Sequence, residues 1–185
     1  CDDTKYCKVT GSSTCTPGAM YYPTPVVFNG VLTTSTFCFQ SKDNGGNLEK
    51  PAVCSQVKID SLPPIKPIVN SSQNGSQFTS NRNEFKVSMK STDRGSGDND
   101  QGSGLHYFAY RVVNATNGSD TSRALTEWER SDIIDGSQFT IDVSTLSIRY
   151  GKTYYIEAFA VDNVMPTGLQ SDIGISQGIK IICKG

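Results

Sequence analysis

The residues with the most to offer chemically are gathered in one loop. Residues 93–105 read DRGSGDNDQGSGL, with three aspartates, one asparagine and no apolar side chain before Leu105. Asp98, Asn99 and Asp100 supply hard oxygen donors, and the interleaved glycines permit positive-φ turns that point carbonyls inward, which is the chemistry of a Ca²⁺ loop. The EF-hand spacing fails: with Asp98 at position one, positions five and twelve fall on Gly102 and Ala109. Any metal site here must therefore be assembled from several loops. Phosphate is a poor ligand for the loop, which contains no lysine and matches neither of the Gly-rich phosphate-binding patterns. The competing reading is a solvated polar turn.

Catalytic constellations are weak elsewhere. His106 is the single histidine; it begins an apolar run, and the serines are scattered through turns without a G-x-S-x-G elbow, so a Ser-His-Asp triad is not expected. Glu127, Glu129, Asp132 and Asp135 are close in sequence around Trp128, the single tryptophan. Paired acids serve glycoside hydrolysis only across a cleft, which small β-sandwiches seldom offer. Trp128 itself reads either as a strand-edge or core aromatic or as a platform for sugar stacking. No enzymatic activity is expected.

Six cysteines, Cys1, Cys7, Cys15, Cys38, Cys54 and Cys183, contain no C-x-x-C pair. Zinc is thereby disfavoured and disulfides are expected, which places the chain in an oxidising, extracellular setting. A reactive thiol is disfavoured too, because the C-x-x-C motif of redox cysteines is missing. Charge is balanced, 17 basic against 18 acidic residues with a net charge of -1, so no field attracts nucleic acid. No run approaches the roughly 18 apolar residues of a membrane span. The start of the sequence lacks a signal-peptide layout, so the chain is read as mature or as excerpted from something longer. Sequons begin at Asn70, Asn74, Asn114 and Asn117; chance occurrence in polar loops competes with glycosylation.

The elements that must position these residues are strands. The runs 83–91 (NEFKVSMKS), 105–113 (LHYFAYRVV), 137–146 (SQFTIDVSTL) and 152–162 (KTYYIEAFAVD) alternate apolar and polar positions or are rich in aromatic and β-branched residues. Gly, Asn, Ser and Thr interrupt every longer segment, and helical periodicity is nearly absent. The two halves also repeat each other. TSTFCFQSKDNGGN (34–47) ends its strand in Asp43-Asn44, as KTYYIEAFAVDN (152–163) ends in Asp162-Asn163, and each is followed after a turn by a related strand, SQVKID (55–60) or SQGIKII (176–182). DDTKYCKVTG (2–11) stands to the first Asp-Asn turn as GLHYFAYRVVN (104–114) stands to the second. DSLPPIKP (60–67) marks the boundary, because Pro63, Pro64 and Pro67 stiffen an extended segment and exclude a helix.

From PPIKPIV (63–69) through SGLHYFAYRV (103–112), FTIDVSTL (139–146), YYIEAFAVD (154–162) and IKII (179–182), the second half resembles the Ig-like or fibronectin type III-like repeats of large prokaryotic cell-surface proteins. CKVTGSSTCTP (7–17) and FCFQSKDNGGN (37–47) make the first half similar to the C-terminal part of another such repeat. The resemblance implies tandem antiparallel β-sandwiches, all-β, with a partial repeat over 1–62 and a complete one over 63–185. Strands of the complete repeat fall at 66–70, 84–91, 105–113, 123–130, 137–146, 152–162 and 174–183. The first repeat then lacks two strands. It is a fragment of a longer chain, or is completed by a strand from another subunit, or has a shorter sheet.

The same frame assigns the remaining residues. Cys38 and Cys54 fall on neighbouring strands and are expected to bond, as are Cys7 and Cys15 across a short loop. Cys1 and Cys183 fall at opposite ends and are candidates for intermolecular bonds; local pairing of Cys1 in place of Cys7, or a lipidated Cys1, are the alternatives. In an Ig-like sandwich the loops after the 84–91 and 152–162 strands emerge at one end. Asp93, Asp98, Asp100 and Asp162 are thus expected to converge on one Ca²⁺, with Asn163 or a carbonyl completing the shell. The function implied is that of a non-enzymatic structural segment of a stalk, adhesin, surface layer or filament. Its partners are copies of itself or neighbouring repeats. The alternative is an accessory module of a secreted hydrolase, with a cell-surface or polysaccharide glycan stacked on Trp128.

Overall fold

A computed structural model describes residues 3–20, 27, 32–72, 77–93, 102–114 and 123–183. The chain groups into two units, Cys1–Leu62 with Gly95–Ser103 and Pro63–Arg94 with Gly104–Gly185. Both are built of strands and turns, and the described residues contain no α-helix.

The first unit is a four-stranded antiparallel sheet in the order β2-β1-β3-β4, from β1 (Asp3–Thr10), β2 (Ala19–Met20), β3 (Leu32–Lys42) and β4 (Val53–Asp60). Period-two alternation separates its faces. Cys7 pairs with Cys38, and Cys38 with Cys54, so three cysteines form one row across the sheet. Tyr6, Phe37 and Phe39 lie on the other face, with ring centroids 5.5 Å apart for Tyr6 and Phe37 and 6.2 Å for Phe37 and Phe39. Disulfides join Cys7 to Cys15 and Cys38 to Cys54. Burial is slight: among the described residues of this unit, Pro17 and Cys38 are the apolar side chains that are buried. A sheet with so little interior needs covalent help, and the two bonds supply it. After β3 the chain turns through Asp43–Asn47. There the Asp43 carboxylate accepts the Asn47 backbone N–H at 2.8 Å and its side-chain amide at 2.9 Å.

The second unit has a true interior. One sheet has the order β10-β7-β5, from β5 (Ile68–Asn70), β7 (Glu84–Lys90) and β10 (Phe139–Asp142). The other has the order β6-β13-β11-β8-β9, from β6 (Phe78–Thr79), β8 (Leu105–Val113), β9 (Glu129–Ser131), β11 (Thr153–Asp162) and β13 (Ile179–Ile181), with β12 (Gly174–Ile175) also pairing β11. Phe85, Val87 and Met89 of β7 meet Phe108 and Val112 of β8, Ile156 and Ala158 of β11 and Ile179 and Ile181 of β13 in one buried cluster. At about 25 cal/mol per Å² of apolar surface removed from water, this cluster is the main source of the unit's stability.

Several strands are shorter than the sequence pattern suggests, and in each case a side chain intercepts the backbone ladder. Residues 123–130 yield only β9 and a bridge from Ala124 to Val113, because the Thr126 hydroxyl takes the Val112 N–H at 3.0 Å. The 137–146 run keeps Phe139–Asp142, bounded by turns in which Asp135 caps the Ser137 N–H and Asp142 the Ser144 N–H, both at 2.8 Å. The last strand is split into β12 and β13 where the Ser176 hydroxyl accepts the Ile156 N–H at 2.9 Å. One pair departs from the expected antiparallel arrangement: β6, which the pattern did not reveal, runs parallel to β13. The prolines of 63–67 are also more than a spacer, since Pro64 and Pro67 are buried and Ile65 N–H bonds to Thr92 C=O at 2.9 Å within the second unit.

Candidate functional site

β8 and β11 are paired antiparallel along most of their length, and a bulge between Val161 and Asp162 sets Asp162 opposite Leu105 at the start of β8. Such irregularities re-aim side chains at strand ends. Asp162 is completely buried and Asp93, just beyond β7, is 3% exposed. One carboxylate oxygen of each lies within 4.8 Å of the other.

Each acid is held by backbone. Asp93 accepts the Gly104 N–H at 2.6 Å. Asp162 Oδ1 accepts two N–H groups, Val164 at 3.0 Å and Leu169 at 2.7 Å, so the turn after β11 is folded around it. Gly168 makes that turn feasible: its φ is +73°, and a Cβ there would come within 2.8 Å of the Asp162 carbonyl oxygen and collide with Val161. The other oxygen of Asp162, Oδ2, is buried and has no hydrogen-bond partner among the described residues. Buried carboxylate oxygens are rarely left so, because stripping water from an ionised group is costly unless something replaces it.

Asn163 bridges the same two strand ends. Its backbone N–H bonds to Gly104 C=O at 3.0 Å, and its side-chain amide nitrogen donates to the carbonyls of Gly104 and Leu105, both at 3.2 Å. The residue locks the start of β8 to the end of β11. Asp98 and Asp100, expected in the same cluster, lie outside the described residues. In the first unit Asp43, which the sequence sets level with Asp162 through the shared Asp-Asn turn, is exposed and both its oxygens are satisfied by Asn47. Burial and the nearby Asp93, not the Asp-Asn turn itself, distinguish the second position.

The remaining candidates are dispersed. Trp128 lies against the non-core face of β8 and β11, edge-on to Phe159 at 4.7 Å, with the Arg111 guanidinium 4.5 Å above its ring. Arg111 in turn forms an ion pair with the fully buried Glu157 at 2.8 Å. This pair escaped the sequence reading, although the signal was present: an arginine and a glutamate interrupt two otherwise apolar strands, YFAYRVV and YYIEAFAV. Glu129, Asp132 and Asp135 turn to separate partners, the Tyr110 hydroxyl at 3.0 Å, Arg130 at 2.6 Å and the Ser137 N–H at 2.8 Å. Burial, with Glu129 alongside, pushes the Tyr110 hydroxyl up to about 12. His106 is exposed and its Nε2 lies 3.3 Å from Arg130. Cys183 is an exposed free thiol, whereas Cys1 lies outside the described residues. Of the sequons, Asn70 and Asn114 are exposed; Asn74 and Asn117 lie outside the described residues. An open cleft of about 410 Å³ is lined by Asn114, Leu125, Ser147, Arg149, Lys152, Thr153 and Tyr154.

In comparison with known proteins, no family model and no curated sequence matches the chain.

Proposed function

We propose that the chain is a non-enzymatic structural segment of an extracellular or cell-surface protein, in which an Ig-like sandwich follows an incomplete copy of the same repeat. The observation that carries this reading is a coincidence of register. In the first sheet Cys7, Cys38 and Cys54 stand opposite one another across β1, β3 and β4. In the second, Arg111, Glu157 and Ile175 do so across β8, β11 and β12. Aligning the two Asp-Asn turns sets Cys38 level with Glu157, and aligning SQVKID with SQGIKII sets Cys54 level with Ile175, so each aligned pair is a cross-strand pair in its own sheet; a supersecondary unit used twice is what a spacer or filament subunit is made of. Two disulfides fit an oxidising compartment. The described helix-free chain offers no helix long and apolar enough to cross a membrane.

Assembly by strand addition is the more specific part of the proposal. β4 ends the order of the first sheet and its side chains are largely exposed, the position at which β-augmentation adds a strand. Size-exclusion chromatography with light scattering, followed by negative-stain microscopy of concentrated protein, is the test. Elongated oligomers that disappear when Val57→Pro is introduced on β4 are expected; a monomer at every concentration removes self-assembly from the reading. The second reading, polysaccharide recognition, has its foothold in the cleft beside Arg149 and Lys152, since Arg111 already covers one face of Trp128. Binding on a glycan array by a strictly monomeric protein would favour it.

A further inference from the structure

We infer that Asp162 and Asp93 hold a divalent cation of the hard-oxygen class, Ca²⁺, at the end of the second unit where β11 finishes and β8 begins. The decisive atom is Asp162 Oδ2, which is fully buried and, among the described residues, unpartnered, while Oδ1 is taken up by two backbone N–H groups. An ionised oxygen in that position needs a positive charge in place of the water it has lost. A second carboxylate, that of Asp93, has an oxygen within 4.8 Å. Two oxygens on one Ca²⁺, each at about 2.5 Å, are separated by at most about 5 Å, so the spacing fits a shared ion.

The surroundings favour this ion over others. Both donors are carboxylates, which excludes the soft-metal chemistry of thiolates and imidazoles. They are presented by turns and a bulge, not by a symmetrical cage, and Ca²⁺ accepts six to eight oxygens in irregular geometry where Mg²⁺ demands a near-ideal octahedron. The acids are also fixed before any ion arrives. Gly104 N–H anchors Asp93, the Val164 and Leu169 N–H groups anchor Asp162, and Asn163 ties the two strand ends together. Preorganisation of this sort reduces the ordering that binding must otherwise accomplish. The equivalent Asp43 in the first unit, exposed and satisfied by Asn47, gives no second site.

The test uses the full chain, stripped with EDTA and titrated with CaCl₂ by calorimetry, with thermal melts in parallel. Saturable binding is expected with a Kd on the order of 10⁻⁴–10⁻³ M, the range of extracellular modules, with weaker Mg²⁺ binding and a rise of several degrees in melting temperature in millimolar Ca²⁺. Asp162→Asn keeps the Oδ1 acceptor and should weaken Ca²⁺ by at least about tenfold. Asp93→Asn, which leaves the Asp162 turn untouched, serves if the first variant does not fold and should do the same. No binding by the wild-type chain overturns the inference, as does unchanged affinity in a folded variant of either aspartate. So does a melting temperature indifferent to Ca²⁺ that rises on mild acidification, since the two acids would then share a proton.

Discussion

Glu157 has no exposed surface, and its side chain meets the Arg111 guanidinium at 2.8 Å, under the ring of Trp128. Neither residue faces the core; the pair fills the opposite face of β8 and β11 and is sealed by the indole. Removing one partner strands the other, which for a buried pair costs roughly 3–5 kcal/mol, whereas replacing both by apolar groups of similar volume costs far less. Glu157→Gln should therefore lower the stability of the second unit by about that amount in urea, and Arg111→Met with Glu157→Leu should recover most of it. A Glu157→Gln cost below about 1 kcal/mol would mean that water reaches the pair. The surface acids act on a different axis. The Ser137 N–H holds the Asp135 carboxyl below its ordinary value, the Ser144 N–H does so for Asp142, and the Asn47 side chain does so for Asp43. A depressed carboxyl contributes stability that is present above the unfolded value of about 3.8 and is lost as the pH falls through the lower folded value. Thermal melts taken from pH 5 to pH 2 should show a steep acid loss that is shallower in Asp135→Asn and Asp142→Asn; identical slopes would exclude these caps as its source.

The strand β11 and the turn that follows it have to deliver Asp162 to a buried position with the next seven residues curled around it. Gly168 is the element's weak point, with φ at +73° and the Asp162 carbonyl where a Cβ would go. Gly168→Ala is expected to cost about 2 kcal/mol or more, through both strain and displacement of the turn. It should also weaken the Leu169 to Asp162 bond, seen as faster hydrogen exchange at Leu169. A neutral substitution would show that the turn can relax without its glycine. β8 and β11 were legible in the sequence almost to the residue, because LHYFAYRVV and TYYIEAFAVD are dense in aromatic and β-branched side chains and end at polar turns. The edges were not. Thr126, Ser176 and Asp142 divert backbone hydrogen bonds through their own side chains, a local competition that period-two reading does not register. β6, two residues long, carries no pattern at all. The meeting of Asp93 with Asp162 could be anticipated from where their loops leave a sandwich. Asn163's turn toward the β8 carbonyls could not, because it depends on which atoms of an amide find partners.

Across the whole molecule the two units are stabilised by different physics. The second carries a buried cluster from Val69 to Ile181, and its described cysteine, Cys183, is unbonded. The first buries only the apolar side chains of Pro17 and Cys38 among its described residues and has both disulfides, closing sequence separations of 8 and 16. Cross-links of this span stabilise chiefly by restricting the unfolded chain, about 2–4 kcal/mol each. Reduction should therefore act on one unit alone. In hydrogen exchange with a thiol reductant, amides of β1, β3 and β4 should exchange roughly 30- to 1,000-fold faster for each bond lost, the range that 2–4 kcal/mol implies for exchange through unfolding. Amides of β7, β8 and β11 should keep their protection, because burial and not cross-linking holds them. Equal losses in both sets would mean that the second unit's fold depends on the cross-links of the first, and unchanged exchange in β1, β3 and β4 would mean that the first sheet has an interior of its own sufficient to do without them.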